Sequence, residues 1–187
     1  MVDRLHRVFK AEDRSYFAIL KKEIHGLAVR AGFSEGKVGE LDIVVAEIVS
    51  NLVKHAGGGQ LYVKLVEEDG LQGIELISVD NGPGMTDVTR MVSDGVSTKN
   101  TLGQGLGAMK RLSDVFQVYS LKEWGTVVLI RIFVEDLPSF GKPPPGEVRS
   151  LVIPKPGESE CGDGFFQLVT REHIKVFLGD GLGHGPE

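Results

Sequence analysis

Two apolar runs separated by a hairpin-length turn constrain this chain more than any other feature. Leu61, Val63 and Leu65 alternate with polar or mixed neighbours, Glu68-Asp69-Gly70 supplies a turn, and Ile74 to Val79 is rich in β-branched residues. Apolar residues at period two mark a strand, and Asp-Gly between two such runs marks a tight connection. So short a link joins antiparallel neighbours, because a parallel pair needs a crossover of a dozen residues or more. A doubly wound dinucleotide fold is therefore excluded here. The second run also delivers a carboxylate, Asp80, at its end.

The rest of the chain fits around this pair. Leu5 and Val8 suggest a short opening strand. After Asp13, the residues Phe17, Leu20, Ile24, Leu27, Ala28 and Ala31 recur at helical spacing, and Gly32 stops them. Ser34 can cap a second helix whose stripe holds Val38, Leu41, Val45, Ile48 and Leu52, ended by Gly57-Gly58-Gly59. A short helix is expected near Asp87–Ser93, a loop over Asp94–Gln104, and a helix over Gly105–Ser113. Two strands, Phe116–Leu121 and Thr126–Val134, flank a turn at Gly125. The expectation for residues 1–135 is a two-layer α/β sandwich (α+β): a mixed, mainly antiparallel sheet with helices on one face. Pro138, Gly141, Pro143, Pro144, Pro145 and Gly146 then mark a stiff linker over 136–149. In 150–187, Ser150–Ile153 reads as a strand, and Phe165–Val169 with Ile174–Leu178 as a hairpin.

Composition narrows the function classes. With 187 residues, 41% of them hydrophobic and 25% charged, the chain can bury a core of its own. A net charge of −5 with no basic run argues against nucleic acid as the main partner. The single Cys161 has no partner for an internal disulfide and fits a reducing compartment, as a packing or surface thiol. No stretch is apolar and long enough to span a membrane, and the first residues lack the apolar core of a signal peptide. A cytoplasmic protein without a membrane partner is expected.

Three short blocks carry the chemistry. Glu47, Asn51 and His55 are spaced by four, each step advancing about 40° beyond a full helical turn, so all three are expected on one helix face. Taken alone, the block reads more simply as a solvated polar face. Asn is a weak helix former, however, and its amide oxygen suits Mg²⁺, which keeps waters and phosphate oxygens as its other ligands. A Glu one turn away can orient or deprotonate a nucleophile. Asp80-Asn-Gly82-Pro-Gly84 needs no function as a turn. Equally, a carboxylate at a pocket mouth can accept from an adenine amino group, and glycines allow close approach. Gly103-Gln-Gly105-Leu-Gly107 opens a helix and lacks the dinucleotide spacing. Exposed amides at such a helix start suit a triphosphate. Lys99, in the loop before it, reads evenly as an added charge for phosphate or as a surface lysine.

Taken in order, the blocks resemble the GHKL (Bergerat-fold) ATPase family, which includes gyrase, histidine kinases and MutL. The resemblance covers about residues 1–135. It identifies Glu47 and Asn51 with the family's N box, Asp80–Gly84 with the first glycine box, and Gly103–Gly107 with the second. Gly125-Thr126 is similar to the later threonine that supports the adenine-binding aspartate. The short loop between the two glycine boxes resembles the small anti-sigma and stressosome switch kinases (RsbT-, RsbW- and SpoIIAB-like), with His55 a departure from the RsbT-like members and similar to the RsbW- and SpoIIAB-like ones. The resemblance implies ATP and Mg²⁺ as cofactors, with Glu47 as catalytic base and Asn51 as Mg²⁺ ligand. It implies Asp80, Gly82, Gly84, Lys99, Gly103, Gly105, Gly107 and Thr126 around ATP. It also implies a serine/threonine kinase acting on a STAS-domain protein, with a sigma factor or downstream phosphatase as further partners. A non-catalytic module that binds ATP and a partner, or a plain ATPase, uses the same residues.

The tail resembles a second family. Cys161-Gly-Asp163-Gly-Phe and Gly179-Asp180-Gly181-Leu-Gly-His-Gly are similar to the first metal motifs of SpoIIE- and RsbX-type phosphatases of the 2C class. That implies Asp163, Asp180 and the Gly181 carbonyl as ligands of Mn²⁺ or Mg²⁺ in an incomplete site, and residues 150–187 as the start of a phosphatase domain. Asp-Gly pairs also occur in plain hairpin turns.

Overall fold

The computed structural model describes residues 5–11, 14–68, 70–92, 105–135, 148–158, 161–169 and 173–181. The chain divides into two compact units, one holding residues 8–137 and the other residues 3–7 and 138–187.

In the first unit, β1 (Arg7–Lys10) is followed by helices α1 (Arg14–Arg30) and α2 (Glu35–Asn51). Strands β2 (Gln60–Glu68) and β3 (Leu71–Asp80) come next, then α3 (Val88–Val92), α4 (Gly105–Arg111), β4 (Val115–Leu121) and β5 (Gly125–Phe133). The sheet order is β1-β2-β3-β5-β4. The pairs β2/β3, β3/β5 and β4/β5 are all antiparallel. The β2–β3 turn closes on Glu68 opposite Leu71, with Gly70 at φ +81. This is the hairpin that the sequence demanded.

Local signals set the helices. Ser34 caps α2, its Oγ accepting from the Lys37 N–H at 3.3 Å. Asp87 caps α3 in the same way, its Oδ1 accepting from the Arg90 N–H at 2.9 Å. Such caps replace one of the first-turn partners a helix lacks. At its other end α2 does not stop cleanly. Residues Leu52–Ala56 form a π turn, closed by Gly57 in the left-handed region at φ 75.

Both helices lay their apolar stripes on one side of the sheet. Leu20, Ile24 and Leu27 of α1 and Leu41, Val45 and Ile48 of α2 join Leu61, Val63, Ile74, Leu76, Val128, Ile130 and Ile132 in one core. Fully burying each Leu, Ile or Val contributes about 1.5–3 kcal/mol. On this face the cross-strand rows run Leu65–Ile74–Ile132, then Val63–Leu76–Ile130–Phe116, then Leu61–Ser78–Val128–Val118. The next row is Asp80–Thr126–Ser120. Because side chains alternate at period two, all four rows share the helix-covered face. The face thus changes from apolar to polar at the end where β3 finishes. On the opposite face Glu75, with 1% of its surface exposed, pairs with Arg131 across the β3/β5 ladder. Nε of Arg131 donates to Oε2 of Glu75 at 2.8 Å, and its Nη1 reaches Glu68 at 2.6 Å.

In the second unit β6 (Gly164–Val169) and β7 (Ile174–Gly179) form an antiparallel hairpin, as expected. Ser150–Ile153, expected as a strand, is irregular. Val152 is held instead by His6: its carbonyl accepts the His6 N–H at 3.1 Å, and its own N–H donates to Nδ1 at 3.3 Å. One residue's backbone N–H and ring nitrogen there stand in for a ladder.

Candidate functional site

The site grows from three pieces of backbone that meet at the polar end of the sheet. The last turn of α2 presents Glu47 and Asn51, one turn apart and both half-buried. His55, expected on the same face, lies within the π turn. Wider i→i+5 winding there takes His55 off the line that joins Glu47 to Asn51. The turn has a positional effect: it ends at Ala56, on which the second piece rests.

That piece is the Asp80–Gly84 loop. Oδ1 of Asp80 accepts from the Gly82 N–H at 2.8 Å, an Asx turn that fixes the loop's first bend. A β-carbon on Gly82 would lie 2.8 Å from Ala56, so the loop fits against the π turn only without a side chain. Gly84 has φ +66, and a β-carbon there would come within 2.0 Å of the Leu121 carbonyl oxygen. The loop is docked on the β4–β5 turn: the Glu123 N–H donates to the Pro83 carbonyl at 2.8 Å, and the Met85 N–H to Oγ of Ser120 at 2.8 Å. A plain surface turn would not need this fit.

The third piece is the start of α4. A β-carbon on Gly105 would lie 3.1 Å from Oε2 of Glu47, and 3.5 and 3.6 Å from the amide oxygen and nitrogen of Asn51. The first residue of α4 therefore abuts both polar side chains of α2. Gly107 is buried one half-turn on. Lys99 and Gly103 lie outside the described residues.

Thr126 stands directly opposite Asp80 in the β3/β5 ladder and opposite Ser120 in the β4/β5 ladder. Its Oγ1 is 2.9 Å from Oγ of Ser120. Ser120 is absent from the sequence-based set, although a signal existed: Phe116, Val118 and Ser120 alternate, and the turn at Gly125 sets Ser120 across from Thr126. Gly59, expected only as part of a helix end, is also tightly packed. A β-carbon on it would lie 2.7 Å from both Leu52 and the Val79 carbonyl oxygen, and 3.3 Å from Cβ of Asp80.

A family profile described as "Histidine kinase-like ATPase domain" matches residues 9–132. The chain belongs to this family. The match spans the whole five-stranded sheet except its outermost residues, and with it every site piece described so far. Among relatives, the chain is 33% identical over 102 residues to the "Serine/threonine-protein kinase RsbT" of Bacillus subtilis (strain 168), covering 54% of this chain and 77% of that protein. The solved structure of the "Mycobacterial sensor histidine kinase MprB" covers 69% of this chain and 97% of its own, at TM-score 0.43 and 16% identity. Membership of this ATPase family implies ATP with Mg²⁺, and the donor set fits them. The amide oxygen of Asn51 and the carboxylate of Glu47 are hard oxygen donors beside a glycine that leaves space open. Among the described residues no group of three or more His, Cys, Asp or Glu can hold a metal alone. A Mg²⁺ here would complete its shell with phosphate oxygens and water, as that ion commonly does.

The carboxylates of the second unit meet a different setting. Asp163 and Asp180 lie one residue beyond the last hairpin pair, Gly164 opposite Gly179. A β-carbon on Gly181 would come within 2.2 Å of the Gly162 carbonyl oxygen, so the two chain segments remain closely apposed there. No helix among the described residues is long and apolar enough to cross a membrane.

Proposed function

We propose that residues 1–135 bind ATP with Mg²⁺ at the polar end of the sheet and transfer phosphate to a serine or threonine hydroxyl of a protein. The proposed substrate is a STAS-domain regulator of a bacterial sigma-factor or stress-response partner-switching system. The observation that carries this reading is the convergence of Glu47, Asn51 and Gly105 in a family that hydrolyses or transfers from ATP. Kinship to a serine/threonine kinase at 33% identity supports a protein hydroxyl as acceptor.

ATP supplies the transferable phosphoryl group, and Mg²⁺ offsets the charge on its phosphates. Asp80 accepts a hydrogen bond from the adenine amino group, with its other carboxylate contact already made to the Gly82 N–H. Asn51 holds the metal through its amide oxygen. Gly82 and Gly105 keep β-carbons away from the end of the α2 segment, Gly84 lets the first loop dock on the β4–β5 turn, and Gly107 lies buried in α4. Glu47, next to Gly105, takes the proton from the incoming hydroxyl.

For the second unit we propose the start of a metal-dependent phosphatase domain of the 2C class, because Asp163 and Asp180 are the residues next to Gly164 and Gly179, the last pair of the β6/β7 hairpin. On that reading the ATP-binding unit has an alternative role, gating the phosphatase without catalysis of its own. Incubation with labelled ATP and candidate STAS proteins, followed by phosphosite mapping, tests the proposal. A labelled serine or threonine supports the kinase. ATP and partner binding without label would transfer the reading to the gating module, and free phosphate without a labelled protein would make the chain an ATPase.

A further inference from the structure

The hydroxyl pair behind Asp80 has a proton count that fixes its direction. Oγ of Ser120 has three neighbours: the Met85 N–H at 2.8 Å, the Gly125 carbonyl oxygen at 2.9 Å, and Oγ1 of Thr126 at 2.9 Å. A serine hydroxyl carries one proton and two acceptor lone pairs. The Met85 N–H can only donate and the Gly125 carbonyl can only accept. The single proton of Ser120 therefore goes to Gly125, because sending it to Thr126 would leave two acceptors facing each other at 2.9 Å. Thr126 must then give its own proton to Ser120. All three contacts are hydrogen bonds in that arrangement alone.

The consequence lies on the site side of Thr126. With its proton committed to Ser120, Thr126 has only lone pairs left to offer. Its cross-strand neighbour is Asp80, whose ionised carboxylate is also acceptor-only. Directly opposed residues have β-carbons about 4.5–5.5 Å apart, close enough to address one small group or one bridging water. We propose that Ser120 is a specificity-determining positioning residue: by holding Thr126 as an acceptor beside Asp80, it makes this end of the site select a base edge bearing an amino group over one bearing a carbonyl. This rests on the nucleotide reading above and deepens it. Ser120 itself acts through Thr126.

Adenosine and inosine triphosphates differ at the relevant edge by an amino group against a carbonyl, and so provide the probes. Calorimetric titration of the full chain with each nucleotide and Mg²⁺ gives a preference ratio. Ser120→Ala frees the Thr126 hydroxyl to turn and donate, so the ratio should fall roughly three- to tenfold, the worth of one ordinary hydrogen bond. Ser120→Cys, which keeps the volume but offers only a weak acceptor, should fall in the same direction, and Ser120→Thr should retain the ratio. In a Thr126→Val background Ser120→Ala should leave the ratio where it is, since the group it acts through is gone. An equal loss of affinity for both nucleotides would overturn the proposal and reduce Ser120 to a brace for the Met85 end of the loop. An unchanged ratio in both Ser120→Ala and Ser120→Cys would overturn it too. If the parent chain bound neither nucleotide, the nucleotide reading itself would fall and this inference with it, an outcome distinct from the other two.

Discussion

Asp80 in the first unit and Asp163 in the second are carboxylates at strand ends with glycine close by, and they differ in everything around them. Asp80 ends a central strand whose neighbours supply Thr126 and Ser120, while α2 and α4 bring Glu47, Asn51 and Gly105 to the same end of the fold. Asp163 precedes a two-stranded ribbon on which Phe166 and Phe177 are 63% and 65% exposed. An isolated hairpin of that kind is marginal in water. The difference teaches that a carboxylate at a strand end becomes a site only when packed elements bring other polar groups to it. In the first unit, a covered sheet fixes those elements. In the second, Asp163 and Asp180 flank the last pair of a two-stranded ribbon, and no group of three or more His, Cys, Asp or Glu that could hold a metal is found among the described residues.

The largest effect that would sharpen this contrast is catalytic. Glu47→Gln keeps the side chain's shape and removes the base, so phosphate transfer to a STAS protein should fall ~10²–10⁴-fold while ATP affinity is retained. Transfer at the parent rate, followed with labelled ATP, would remove Glu47 from that role. Next come the two kinds of phenylalanine. Phe133 is fully buried, so Phe133→Ala should cost about 3–5 kcal/mol. Phe177→Ala, on the exposed ribbon, should stay within about 0.5 kcal/mol. Urea denaturation followed by circular dichroism measures both, and similar losses would break the contrast. Arg131→Ala removes the ion-pair partner of Glu75, whose side chain is 2% exposed, and should destabilise by about 3 kcal/mol. The smallest effect is expected in the second unit: Asp163→Asn with Asp180→Asn should leave ATP affinity unchanged, and the parent chain should hydrolyse no phosphoprotein with Mn²⁺. Turnover of a phosphoserine peptide by this chain would show a metal site there more complete than two carboxylates.

The sequence reveals most of the fold because its local and long-range signals agree. Ser34, Gly57 and Gly70 stand at a helix start, a helix end and a turn, and the short β2–β3 link compels antiparallel pairing. The π turn at Leu52–Ala56 was not legible. Its apolar and polar residues continue the helical pattern, and the wider winding shows only in the backbone, where the Gly57 N–H donates to the Leu52 carbonyl. Ser150–Ile153 misled for a related reason, since an apolar run such as Leu151–Ile153 says nothing about whether a ladder partner exists. At the site, Glu47, Asn51 and Asp80 stood out by residue type and spacing. Ser120 did not, because a serine on an edge strand is unremarkable until the register sets it against Thr126 and the docked loop brings Met85 to it.

The claim on which the rest depends is that the polar end of the first unit's sheet is where ATP binds. Titration calorimetry of the parent chain and of Asp80→Asn with ATP and Mg²⁺ tests it most directly. The substitution removes a charged acceptor while keeping size, and the loss should be about 1.5–3 kcal/mol, the worth of a hydrogen bond to a charged group. Saturable binding by the parent with that loss in the variant is the result expected here. Equal affinity in the two proteins would contradict it.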